Sequence, residues 1–164
     1  MWQYVVMLRK QFLNTPFNSG ARRPRNFVET ISMKKFRVVV IDDVEDILDL
    51  IVYNLSKEGL EVEAFSDPTE ALSHIMKNPP DIVLSDWMMP GMDGLEVCRR
   101  IHNNALTCNV PVVMLTCRGS IKDYREPGEA GARDYVVKPV RMEELIRRVK
   151  LLLPHRGRQL TFGQ

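Results

Sequence analysis

Phe36-Arg-Val-Val-Val-Ile-Asp-Asp-Val-Glu-Asp-Ile-Leu-Asp-Leu-Ile-Val-Tyr-Asn-Leu-Ser-Lys-Glu-Gly-Leu-Glu-Val-Glu-Ala-Phe65 changes its hydrophobic period twice. Residues 36–41 form a short, β-branched apolar run, the pattern of a strand covered on both faces. Ile47, Leu48, Ile51, Val52 and Leu55 then recur at helical spacing, and Gly59 supplies a C-terminal stop. Leu60–Phe65 alternates as a half-exposed strand. Strand, helix and strand follow one another closely, and parallel neighbours are the arrangement that needs such a crossover.

The same alternation continues downstream. Asp67-Pro68-Thr69-Glu70 is a helix start, with Asp as N-cap, Pro at the first helical position and Glu at the capping-box position. Ala71, Leu72, Ile75 and Met76 are its buried face, and Pro79-Pro80 ends it. Asp81–Asp86 reads as the third strand and Met89-Pro-Gly-Met-Asp-Gly94 as a turn. A helix carrying Leu95, Val97, Cys98 and Ile101 follows. Val110–Leu115 and Tyr135–Val137 read as strands four and five, and the last helix carries Leu145, Ile146, Val149 and Leu152. The expected fold is α/β, a doubly wound five-stranded parallel sheet.

Of the 164 residues, 45% are hydrophobic and 27% charged, enough apolar material for a packed core. The net charge of +2 is uneven: residues 1–32 carry a balance of +4 and the remainder −2. Basic character therefore belongs to the leader, and the folded part has no charge signature of a nucleic-acid binder. Residues 1–32 are read as a disordered basic extension, with Met33 resembling a natural start. Cys98, Cys108 and Cys117 show no Cys-x-x-Cys spacing, which fits reduced, cytoplasmic thiols. No apolar run reaches the roughly 18–20 residues of a membrane span.

Open parallel sheets bind ligands beyond the carboxyl ends of their strands. Here those ends carry Asp42 and Asp43, Asp86, Thr116 and Lys138. Singly, each has an ordinary reading: the aspartates as turn formers or caps, Lys138 as a solvated loop lysine, Thr116 as a strand-end hydroxyl. Together they place three carboxylates, a hydroxyl and an ammonium on one edge. Crowded carboxylates call for a cation, and Mg²⁺ suits a set that must also meet phosphate oxygens. A phosphoryl group could then be placed on an Asp nucleophile. His74 and His102 are expected at surface or helix-end positions, and Cys117 as a packed small side chain.

Ile41-Asp-Asp43, Asp86-Trp-Met-Met-Pro-Gly-Met-Asp-Gly94, Leu115-Thr116 and Gly131-Ala-Arg-Asp-Tyr-Val-Val-Lys-Pro139 occur in order. In these pieces the sequence resembles the response-regulator receiver domains over roughly residues 34–153, which implies a flavodoxin-like (βα)₅ fold. The resemblance implies Asp86 as phosphoacceptor, supplied by a sensor histidine kinase, with Lys138 and Thr116 serving the transfer. It implies Mg²⁺ held by Asp43, Asp86 and the backbone carbonyl of Met88, with Asp42 acting through water. Thr116 and Tyr135 would be the switch pair; Tyr135 taken alone is a half-buried strand aromatic. Such a domain regulates an output, here expected to be transcription, and is not a turnover enzyme. A homodimer formed on phosphorylation is left open.

Two features depart from the family. Val140 stands where Phe commonly follows Lys-Pro, and Glu126-Pro127-Gly128 falls where the helix between strands four and five should run. Proline inside a helix costs ~3 kcal/mol or more, so that helix is expected to be short, broken or restarted. Residues 154–164 resemble a basic linker and the opening strand of the winged-helix output domain of one large class of response regulators. DNA contact would then come through that output domain, beyond this chain. A phosphatase or phosphomutase with an Asp nucleophile would want a second Asp at position 88, which is Met. A stand-alone signalling receiver and a phosphorylation-independent interaction module are the alternatives.

Overall fold

Val38, Val39, Val40 and Ile41 are all fully buried, as are Ile82, Val83 and Leu84. Runs of this kind must be covered on both faces, and the computed structural model, which describes residues 35–117 and 131–153, shows how. Its described elements are β1 (Arg37–Ile41), α1 (Glu45–Lys57), β2 (Glu61–Phe65), α2 (Pro68–Lys77), β3 (Ile82–Asp86), α3 (Gly94–His102), β4 (Val112–Cys117), β5 (Asp134–Lys138) and α4 (Met142–Leu152). The strands form one sheet in the order β2-β1-β3-β4-β5, every adjacent pair parallel. The central strands alternate between two cores. Val39, Ile41, Val83, Val112 and Met114 pack with the apolar faces of α2 and α3. Val38, Val40, Ile82, Leu84, Val113, Leu115 and Val136 pack with those of α1 and α4.

Local chemistry sets the helix ends. The Asp67 carboxylate accepts from the backbone N–H groups of Thr69 (2.6 Å) and Glu70 (3.1 Å), with Pro68 at the first helical position. Asp93 caps α3 through the Glu96 N–H at 2.8 Å. Gly59, at φ +82°, lets the chain reverse after α1, a conformation that costs an L side chain its usual backbone preference.

The extents of the fourth and fifth strands differ from the sequence reading. The fourth strand begins at Val112 and not Val110, because the Val110 N–H is used in a turn to Thr107 and Pro111 has no N–H to give. It also runs on to Cys117, and the fifth runs from Asp134 to Lys138. Thr116 and Lys138 thus belong to the strand ends themselves. The expected break at Pro127-Gly128, the leader 1–32 and the linker 154–164 lie outside the described residues.

The histidines and cysteines also refine the expectations. His74 is held between strands and helix, 2.9 Å from Glu63 and in ring contact with Phe65. His102 lies 3.3 Å from the Val110 carbonyl and 3.6 Å from the Cys98 thiol. Cys117 is exposed instead of packed, because it ends β4 one residue beyond buried Thr116. Cys98 is buried, and burial pushes its thiol up to about 11. Since the thiolate is the reactive form, brief iodoacetamide treatment at pH 8 is expected to alkylate Cys108 and Cys117 and spare Cys98. Peptide mapping checks this; rapid native-state labelling of Cys98 would contradict the packing described.

Candidate functional site

The strand order reverses beside β1 and β3, so α1 leaves toward one face and α3 toward the other. A crevice at the carboxyl ends results there. Asp42 follows β1, Asp86 ends β3 and Lys138 ends β5. The period of two along each strand gives all three the parity of the α1 and α4 face. The Lys138 ammonium lies 2.7 Å from Asp42 Oδ2 and 2.8 Å from Asp86 Oδ1, binding together strands that are not neighbours. Asp42 is wholly buried, and its Oδ1 accepts from the Val44 N–H at 3.1 Å, turning the chain into α1. Asp43 is exposed at the mouth.

One carboxylate oxygen from each of Asp42, Asp43 and Asp86 falls within 4.8 Å of the others. Burial raises the Asp86 carboxyl above its ordinary range, and the nearby Asp42 charge adds to this. The Lys138 hydrogen bond and charge oppose the rise. Burial would lower the Lys138 ammonium, but its hydrogen bonds to Asp42 and Asp86 outweigh that and raise it. The bridge therefore favours the charged ammonium, and Lys138 opposes the protonation of Asp86 that burial promotes.

Thr116 and Tyr135 belong to the other side of the sheet. Thr116 shares the parity of Val112 and Met114, is fully buried, and donates its hydroxyl to the Cys117 carbonyl at 3.2 Å. Tyr135 is paired in register with Met114 and packs against the same core. Met88 is largely exposed, as a backbone ligand can be, while Met89 is buried and Met92 packs on the core.

Two contributions escape sequence reasoning. A Cβ on Gly94 would stand 2.2 Å from the Asp86 carbonyl oxygen and 2.6 Å from Met114 Cε. Gly94 is therefore the residue that lets α3 start against the backbone of Asp86. Trp87 contacts Tyr135, with ring centroids 6.1 Å apart. Nothing in a single sequence distinguishes a glycine needed for close approach from one needed for a turn.

This arrangement has close counterparts. The model of the response regulator receiver domain matches residues 38–150. The chain belongs to the response-regulator receiver domain family. It is 39% identical over 117 residues to the phosphate regulon transcriptional regulatory protein PhoB of Rhizobium meliloti (strain 1021), covering 71% of this chain and 52% of that protein. The chain thus spans about half the length of this curated relative. Among solved structures, the chemotaxis response regulator CheY4 of Vibrio cholerae is similar at 30% identity and TM-score 0.68, covering 73% of this chain and 99% of that one. The receiver domain of Francisella response regulator 1452 is similar at 32% identity and TM-score 0.65, covering 72% and 96%. Receiver domains of two-component response regulators are signalling modules, not turnover enzymes, and this chain contains one. Receivers generally bind Mg²⁺ at an acidic pocket, and the three aspartates form such a cluster. Among the described residues, no helix of the receiver is long and apolar enough to cross a membrane.

Proposed function

We propose that Asp86 takes a phosphoryl group from the phosphohistidine of a sensor histidine kinase and later loses it to water. The observation that carries this reading is the bridge of Lys138 between Asp42 and Asp86 at 2.7 and 2.8 Å. In the transfer a carboxylate oxygen of Asp86 forms the new P–O bond as the P–N bond to the histidine breaks. Lys138 keeps the attacking carboxylate ionised and can follow the charge onto the phosphoryl oxygens. Thr116 offers its hydroxyl to one of those oxygens, giving up the Cys117 carbonyl, and Tyr135 follows inward.

The donor set fits a hard dication, because one ammonium shared by two aspartates leaves the three-carboxylate cluster negative. Asp43, Asp86 and the Met88 carbonyl would hold Mg²⁺, with Asp42 reaching it through water. When bound, the ion neutralises the cluster and the incoming anionic donor. Both Asp42 oxygens already accept from Lys138 and Val44, which favours that outer role.

The domain is assigned to residues 33–153, in a cytoplasmic protein. The PhoB relative, a transcriptional regulatory protein nearly twice the matched length, favours a DNA-binding output domain after the linker. A stand-alone receiver and a phosphorylation-independent module are less favoured.

Intact-protein mass spectrometry after incubation with acetyl phosphate tests the reading. Wild type is expected to gain one phosphoryl mass in Mg²⁺ and none in EDTA, and Asp86→Asn is expected to gain none. An adduct retained by Asp86→Asn would assign the wrong carboxylate.

A further inference from the structure

We propose that Trp87 is a positioning residue for Tyr135, a second link from the phosphoacceptor to β5 that passes over the strand carrying Thr116. This rests on the reading of Asp86 as acceptor and Tyr135 as switch.

Trp87 follows Asp86 directly, and its backbone is fixed on both sides. Its N–H donates to the Leu115 carbonyl of β4 at 2.9 Å, and its carbonyl accepts from the Gly94 N–H of α3 at 2.9 Å. The side chain is 4% exposed and lies in the α2 and α3 core, so a displacement at Asp86 cannot be absorbed by a loose neighbour. Tyr135 stands on β5, and β4 separates it from β3. Two strand spacings are roughly 9.6 Å, yet the rings approach to 6.1 Å between centroids at 42°. The two side chains therefore lean toward each other across β4, in a tilted geometry favourable for aromatic pairs.

Thr116 and Met114 face that same side of β4, and Met114 is Tyr135's partner in register. Movement of Thr116 toward Asp86 thus takes place next to an aromatic bridge whose ends are the acceptor's neighbour and the switch tyrosine. Tyr135 has two constraints on its setting. One is the space vacated near Thr116, and the other is the Trp87 ring, which limits where the phenol can go. The Trp87 backbone N–H is also a hydrogen-bond partner of the Asp86 carboxylate, whereas its ring acts through Tyr135.

The test uses the full chain labelled with 3-fluorotyrosine, with the Tyr135 resonance assigned by Tyr135→Phe. ¹⁹F spectra are recorded with and without acetyl phosphate and Mg²⁺ in wild type, Trp87→Phe, Trp87→Leu and Trp87→Met. Mass spectrometry gives the extent of phosphorylation in each sample. At equal phosphorylation, Trp87→Leu and Trp87→Met are expected to lose at least half of the phosphorylation-induced shift of Tyr135. Trp87→Phe, which keeps a ring, is expected to retain most of it. Two aliphatic variants guard against one that fails to fold. If the shift is unchanged in a folded aliphatic variant, Trp87 is ordinary core packing and the proposal falls alone. If wild-type Tyr135 does not shift on phosphorylation, the switch reading itself fails and takes the proposal with it.

Discussion

Replacing Lys138 by methionine is expected to destabilise the metal-free domain by about 3 kcal/mol at pH 7 and to slow phosphoryl uptake roughly 100-fold. The stability figure is the low end of what stranding one member of a buried ion pair costs, since Lys138 keeps 15% side-chain exposure. What remains in the variant is two carboxylates, one of them wholly buried, with no cation between them. Urea unfolding in EDTA measures the first effect and acetyl phosphate kinetics the second.

The deficit has a defined pH dependence. Asp86 is already raised above its ordinary value of 3.8 by burial, and removing Lys138 removes the main opposing influence. A carboxyl with a raised folded-state pKa weakens the fold where it is ionised, and the penalty fades as it takes up a proton. The loss in Lys138→Met is therefore fully present above the folded-state pKa and gone once pH falls below the ordinary carboxylate value. Adding Asp42→Asn should recover at least half of it at neutral pH. A deficit under 1 kcal/mol, or one that grows on acidification, would show that the bridge contributes little.

Gly94→Ala should cost about 3 kcal/mol, the upper part of the usual range for overpacking a well-filled site. The added methyl would meet a backbone oxygen at 2.2 Å, which cannot move as a flexible side chain would. Either α3 shifts or β3 does, and the second displaces Asp86. For a domain of this size the melting temperature should fall by about 10 °C. Phosphoryl uptake should fall with it even at temperatures where the variant is fully folded. Calorimetry beside a mass-spectrometric time course separates the two effects; normal uptake by the folded variant would place the whole adjustment in α3.

The fold was legible because its signals are local and repeated. The Val38–Ile41 and Ile82–Leu84 runs are uniformly apolar because both faces are covered, and Asp67-Pro68 spells a helix start within two residues. Asp42, Asp86 and Lys138 were legible as a group because strand ends of a parallel sheet converge whatever the intervening loops do. The exposure of Cys117 was not, since one further residue of β4 carries it past the buried end of the strand. Nor were the anchoring of His74 by Glu63 and the contact of Trp87 with Tyr135. Both depend on side-chain reach across elements distant in sequence, for which periodicity holds no information. The role of Gly94 escaped for a related reason: its constraint is the absence of an atom, set by a carbonyl on another element.

The sheet is also a partition. Asp42, Asp86 and Lys138 take one parity of their strands, and Thr116, Trp87 and Tyr135 take the other. The Lys138 bridge and the Trp87–Tyr135 pair are therefore on opposite sides of a single layer of backbone. Thr116 and Gly94 join the two sides, the first through the hydroxyl proposed to meet the phosphoryl group and the second by seating α3 against the Asp86 carbonyl. A chimera carrying a foreign α2 and α3 side would therefore need to retain Thr116 and Gly94 to keep Asp86 and its bridge in place.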